Sequence, residues 1–355
     1  MHAMIDNFRI LPAGHCGSGS MRNLIYRYCG LDLEEGVVFG LGAGLDCVYF
    51  NYEKASPPFM VFGRGSTMEA DLARTLGIDY TEQAQPDDDL AWEEVKAEVL
   101  SGRPTMLSGD IFYLDYREFK VHFPAHRFIL LGFDEDKQEV YIADRINEYA
   151  ETCSMGALRS SRNPPDAIST YNLWGKFHSG QVRHGLAEAA GLALAITVGR
   201  MQGTDTSQRD LMAVSSGGNS VCETGLAGMK TLHQQMAGWP ARDDASACAQ
   251  YLDNAIIKYG TGGGFFRNHF AVFLAWAREQ QAELVSAEAV ALGEDVAGRW
   301  NALSPVMQSL VANPADDGGW QQALGRLEDI LDAETSLIGM LAESVVPAAS
   351  VSQAG

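Results

Sequence analysis

The spacing of apolar residues along the 355-residue chain changes near residue 165. Before that point short strands and short helices alternate. Residues 126–134 and 140–144 are apolar runs joined by the polar turn 135–138, which predicts a β-hairpin. His126 opens its first strand, Asp144 closes the second, and an antiparallel pairing sets those ends side by side. Residues 104–108 read as another buried strand. Ser66-Thr67-Met68-Glu69 has capping-box spacing and opens a helix that Gly77 closes. Asp88 or Asp89 caps a second helix over 90–100, stopped by Ser101-Gly102. After the loop 163–166, helical period prevails over 182–201, 221–236, 245–259, 265–281, 287–302 and 321–342. The expectation is an α+β domain over 1–165, an all-helical domain over 166–346 and a flexible tail over 347–355.

Composition narrows the classes. A chain with 46% hydrophobic residues can build two proper cores. The N-terminus has neither a basic segment nor an apolar one of signal type, and the longest apolar stretch, 186–198, carries Glu188 and is too short to span a bilayer. A cytoplasmic location is expected. With 26 Lys and Arg against 46 Asp and Glu, the net charge of −20 argues against nucleic acid and anionic membrane as partners. The six cysteines are scattered without a Cys-x-x-Cys pair, so five read as buried apolar thiols and no metal site is expected.

Cys16 is different. It lies in Gly14-His15-Cys16-Gly17-Ser18-Gly19-Ser20, which leads directly into the helical pattern of 21–28. A thiol at a helix N-terminus meets the positive end of the macrodipole and unpaired N–H groups, both favouring thiolate. Together with His126 and Asp144 it supplies the residue types of a cysteine nucleophile, its base and the group that orients the base.

This order and spacing resemble papain-like cysteine enzymes, including the bacteriocin-processing peptidases with their His…Gly-(Tyr/Phe)-Asp…Asp pattern. The closer resemblance is to the butirosin-biosynthesis acyltransferase H family. It rests on His15-Cys16 among small residues, Arg22-Asn23-Leu24 with Tyr28-x-Gly30, Phe39-Gly40-Leu41-Gly42 and Gly63-Arg64. Gly109-Asp110 with Tyr113-Leu114-x-Tyr116 and His122-Phe123-x-x-His126 continue it. Gly260-Thr261-Gly262-Gly263-Gly264-x-Phe266-Arg267 is similar to the signature of the helical domain that accompanies the first. The resemblance implies a papain-like fold for the α+β domain and transfer of an acyl group from a carrier-protein thioester, through acyl-Cys16, to an amine.

On this reading Cys16, His126 and Asp144 are catalytic. His126 is preferred to His122 as base because it has the peptidase spacing to Gly132-Phe133-Asp134, and His122 falls to the pocket. No Gln precedes Cys16 to serve an oxyanion hole, so one donor is the Cys16 N–H and the second is open between His15, Asn23 and elsewhere. Asp110, Tyr113 and Tyr116 form either an amine pocket or a strand-end cluster, and Arg64 carries the same two readings. The Gly260–Gly264 run lacks a P-loop ending and reads as a close-approach loop; Arg267 beside it is a candidate for a pantetheine phosphate. An acidic carrier needs a basic patch, for which residues 158–162, Lys176 and Arg183 are candidates. No resident cofactor is expected, since phosphopantetheine arrives on the donor. The partners expected are an acyl carrier protein and a small-molecule amine, and a homodimer stays open. A papain-like hydrolase and a non-catalytic binding protein are the alternatives.

Overall fold

The structure, a computed structural model, describes residues 1–51, 56–123, 125–144, 146–164, 169–207 and 222–345. The tail 347–355, residues 165 and 166 of the predicted linker and the start of the predicted 221–236 helix lie outside these. The chain is α+β with antiparallel sheets and a helical C-terminal region. It divides into two compact units: Met1–Glu35 with Gly77–Arg183, and Gly36–Leu76 with His184–Gly355. This partition differs from a single cut near 165. Residues 36–76 go with the helices, and 169–183 go with the first sheet.

The first unit is built on a seven-stranded antiparallel sheet. Its strands are β1 (His2–Met4), β4 (Tyr80–Gln83), β5 (Thr105–Gly109), β6 (His126–Asp134), β7 (Glu139–Ala143), β8 (Glu151–Ser154) and β9 (Trp174–Phe177). All of β6 is buried, and it pairs with β5, β7 and β1. Gly132 has to be glycine, because a Cβ there would stand 2.7 Å from the Ala3 carbonyl oxygen and 2.6 Å from the Met4 sulfur. The β6–β7 hairpin forms as predicted. Asp134 holds its turn by accepting the Asp136 and Lys137 N–H groups, each at 3.1 Å. Leu107, Phe128, Leu130, Phe133, Val140 and Ile142 make the core together with Trp174 and with Val95 and Val99 of α4 (Asp88–Leu100). The cap of α4 is Asp87, one residue before the predicted ones, and its carboxylate accepts the N–H groups of Asp89 and Leu90. Helices α1 (Cys16–Cys29) and α5 (Met155–Arg162) complete the unit.

In the second unit, β2 (Leu45–Asn51) and β3 (Phe59–Arg64) pair with each other and, through β2, with β10 (Cys222–Glu223). Around them are α2 (Glu35–Leu41, whose first residue belongs to the first unit), α3 (Met68–Leu76), α6 (Leu186–Met201), α7 (Gly225–Met236), α8 (Ala245–Ile257), α9 (Arg267–Gln280), α10 (Ala287–Ala312) and α11 (Asp317–Ser344). Helix α10 runs ten residues past its predicted end and takes in Pro305. Among the described residues no helix is long and apolar enough to cross a membrane.

Candidate active site

Cys16 is the first residue of α1. His15 is the N-cap, with extended backbone (φ −105°, ψ 135°), and its Nδ1 accepts the Ser18 N–H at 3.2 Å. A histidine thus does here what Ser or Asp usually does at a helix start. The approach to Cys16 is tight: a Cβ at Gly19 would stand 2.4 Å from that of Ala13. At the far end Gly30, at φ 69°, closes the helix in the left-handed region.

Two paired strands carry the candidate base and its carboxylate. His126 begins β6, Asp144 follows the last residue of β7, and both are buried. His126 Nε2 lies 3.0 Å from Asp144 Oδ1 in an ion-pair contact, and the ring is close enough to the Cys16 thiol for each to shift the other's titration. On the other side of the carboxylate, Tyr116 Oη donates to Asp144 Oδ2 at 2.6 Å.

The charges are unusual. Burial pushes the Cys16 thiol up, yet His15 and His126, both within hydrogen-bonding reach, outweigh it and hold the thiol well below its ordinary value. Burial likewise disfavours charge on His126, but the Asp144 carboxylate and Cys16 raise it to about 9. Both shifts favour a thiolate–imidazolium pair over the neutral one. The contrast with other thiols is sharp: burial raises Cys29 and Cys248 to about 11 and Cys153 to about 12, and raises Cys47 as well.

The remaining predicted site residues separate into groups. His15 joins Cys16. Asn23 is buried and bonded to backbone. Its amide donates to the carbonyls of Leu11 and Gly19 and accepts the Leu11 N–H, pinning the segment before the nucleophile to α1. Tyr116 hydrogen-bonds Asp144. Asp110 is fully buried and accepts the N–H groups of Phe112 and Phe123 and the His122 Nδ1 contact at 2.8 Å. His122 is about half exposed, stacked on Phe112 and edge-on to Tyr113. Asp110, Tyr113 and His122 are thus one cluster, distinct from the triad. It follows Gly109, which pairs with His126 across β5 and β6.

Two predicted residues belong to the second unit. Arg64 lies 3.5 Å from Glu69. Arg267 is buried, paired with Glu334 at 2.7 and 2.8 Å, and donates to the carbonyls of Asp46, Gly63 and Phe265. Its guanidinium is fully spent, which removes it as a phosphate ligand. The run at 260–264 is a close-packed loop: Gly260, Gly262, Gly263 and Gly264 all have positive φ, and Thr261 Oγ1 accepts the Gly263 N–H. The predicted basic patch is also largely neutralised. Arg159 pairs with Asp88 and Asp89, Lys176 pairs with Glu98, and Arg162 is buried against the carbonyls of Ala91 and Asn172.

Sequence reasoning missed Ser18 and Glu35. Ser18 Oγ lies 2.8 Å from His15 Nδ1 and donates to Glu35 Oε1 at 3.0 Å, while the Glu35 carboxylate accepts the N–H groups of Gly14 and His15 at 2.8 and 2.7 Å. The position of Ser18 three residues after the N-cap was a usable signal. Glu35 had none.

No curated protein matches the chain. Two family models do: that of butirosin biosynthesis protein H, N-terminal, over residues 15–145, and that of a domain of unknown function (DUF4872) over residues 159–341. The first begins one residue before Cys16 and ends one residue after Asp144, so it encloses the whole triad, and by these two matches the chain belongs to the butirosin biosynthesis protein H family.

Proposed function

We propose that the protein is a cysteine-dependent acyltransferase with a papain-like N-terminal unit, moving an acyl group from a carrier-bound pantetheine thioester to a small-molecule amine. One observation carries the proposal: Cys16 alone combines a helix tip, a depressed thiol and contact with a histidine paired to a carboxylate. The family match supports a place in biosynthesis and a small-molecule acceptor.

The chemistry follows from the ion pair. The Cys16 thiolate attacks the thioester carbonyl, and the tetrahedral intermediate expels pantetheine thiolate, which takes the proton from the His126 imidazolium. Acyl-Cys16 and neutral His126 remain. A neutral amine then attacks the acyl carbonyl, its proton passes to His126, and the Cys16 thiolate leaves, restoring the pair. Asp144 stays ionised throughout and stabilises the imidazolium. Thioester exchange is close to isoenergetic and amide formation runs downhill, so the sequence needs no nucleotide. Water must be kept from acyl-Cys16.

The test is product analysis after incubation with an acyl-pantetheine thioester and a panel of amines. Amide formation dependent on Cys16 is expected. Free acid at the same rate with and without amine would make the protein a hydrolase, and an unchanged thioester would make it a binder.

A further inference from the structure

The carboxylate beside the base has different partners on its two oxygens. Asp144 Oδ1 lies 3.0 Å from His126 Nε2, and Oδ2 accepts the Tyr116 hydroxyl at 2.6 Å. The second bond joins a hydroxyl to a charged acceptor, which makes it one of the stronger hydrogen bonds. Behind Tyr116 stands Arg117, its guanidinium carbon 5.7 Å from the phenol ring centroid, and its Nη2 donates to Glu151 Oε1 at 2.9 Å. Glu151 pairs across β7 and β8 with Ile142, two residues before Asp144, so Arg117 is held at the same end of β7. Burial disfavours charge on Arg117, but Glu151 and the Asp144 charge outweigh it.

A donor or cation on Asp144 other than His126 draws on the same negative charge, so the imidazolium is stabilised by what is left. The other charged groups around the pair are Cys16 at the start of α1, with His15 before it, and the Asp110–His122 pair, which follows the Gly109 that pairs in register with His126. Burial lowers His126, but Asp144 and Cys16 raise it to about 9. An alkyl thiol such as that of pantetheine titrates like a cysteine, at roughly 8.5. Acid and leaving group are therefore close to matched, the condition under which a general acid gives up its proton most effectively. Without the Tyr116 hydroxyl, Asp144 would hold the imidazolium more firmly, and the departing thiolate would face a weaker acid.

We propose that Tyr116, with Arg117 behind it, limits the hold of Asp144 on the His126 proton, so that this proton passes to the departing thiol. As the carbon–sulfur bond to pantetheine breaks, its electron pair goes to sulfur, sulfur takes the imidazolium proton, and His126 is left neutral. Neither Tyr116 nor Arg117 gives up a proton in this step. Both act through Asp144 and are positioning residues. This inference rests on the acyl-transfer reading, since it requires a thiol that leaves.

Two thioesters separate this role from a structural one. An acyl-pantetheine thioester expels an alkyl thiolate that needs the proton, whereas an aryl thioester expels a thiolate stable enough to leave without it. Single-turnover acylation of the intact chain by each is followed across pH. In Tyr116→Phe the alkaline limb for the pantetheine thioester should move up by about one pH unit, because the carboxylate now favours imidazolium more strongly. Its plateau rate should fall about tenfold, while the rate with the aryl thioester should stay within about threefold of wild type. Arg117→Gln, which keeps a hydrogen-bond donor for Glu151 while removing the cation, should move the limb the same way by about half as much. Equal losses with the two thioesters, or a limb that stays or moves down in both variants, would overturn the tuning role while leaving acyl transfer standing. Failure of the wild-type thiol to acylate with either thioester, with iodoacetamide alkylation intact, would overturn the acyl-transfer reading and this inference with it.

Discussion

Tyr116 donates its phenolic hydrogen to Asp144 Oδ2 at 2.6 Å, while His126 occupies Oδ1 at 3.0 Å. The carboxylate paired with His126 is therefore itself held, from a loop 28 residues earlier in the chain. Burial and Asp144 both raise the Tyr116 phenol, so it remains a donor at any working pH.

Tyr116→Phe should accordingly lower the rate of acylation about tenfold with little change in KM for the amine, and should cost about 1–3 kcal/mol of stability because a buried carboxylate oxygen loses its partner. Steady-state kinetics and thermal melts check this. A KM effect with unchanged kcat would return Tyr116 to the substrate pocket.

Labelling should single out Cys16. A thiol whose pKa is about 11 has about one ten-thousandth of its population as thiolate at pH 7, whereas the depressed Cys16 thiol carries a far larger share. Brief iodoacetamide treatment at pH 6 followed by peptide mass mapping should find Cys16 modified well ahead of Cys29, Cys47, Cys153 and Cys248. Comparable labelling of all would remove it as nucleophile.

The pH dependence has a definite sign. Cys16 is depressed and His126 is raised to about 9, so alkylation should extend to lower pH than for an ordinary thiol and be lost as pH falls through the depressed thiol value. Above pH 9 the imidazolium loses its proton. Acylation by thioesters with a poor leaving group should then fall, while alkylation, which needs only the thiolate, should not. Parallel loss of both above pH 9 would contradict the acid role of His126.

The hairpin that carries His126 and Asp144 was legible because a period-two pattern and a polar turn are local signals. The helix at Cys16 was legible for the same reason. What remained hidden depends on contacts distant in sequence. Glu35 meets Gly14, His15 and Ser18 only because the chain doubles back after α1, and Arg267 finds Glu334 67 residues later. Residues 45–64 fall in the first domain on a single boundary at 165, yet β2 pairs with β10 at residues 222–223. Pro305 should have ended α10, but tertiary packing carries the helix through it.

The same long-range pairing governs truncation. A chain ending at Asn163 lacks β9, which pairs with both β4 and β5, and loses Trp174 from the core. It also leaves residues 36–76 without the helices of their own unit. Such a chain should fail to fold cooperatively by circular dichroism and melting, whereas a cut placed near 165 on spacing alone would predict a stable domain.

Arg267→Ala should destabilise the protein by about 3–5 kcal/mol, since it strands the buried Glu334 carboxylate, and Arg267→Met with Glu334→Leu should recover much of that loss. Denaturant titration of the single and double variants checks it. A stable Arg267→Ala protein with a raised KM for the acyl donor would instead restore the phosphate-binding role.

The central claim is that Cys16, activated by His126, carries the acyl group. Rapid-quench single-turnover acylation by an acyl-pantetheine thioester, with the adduct located by peptide mass mapping, tests it most directly. The adduct should lie on Cys16 and be discharged by amine. His126→Ala should form it about 10²-fold or more slowly, Asp144→Asn slowly but measurably, and His122→Ala within a few-fold of wild type. An adduct on another residue, or a His126→Ala protein that acylates as fast as wild type while His122→Ala does not, would contradict it.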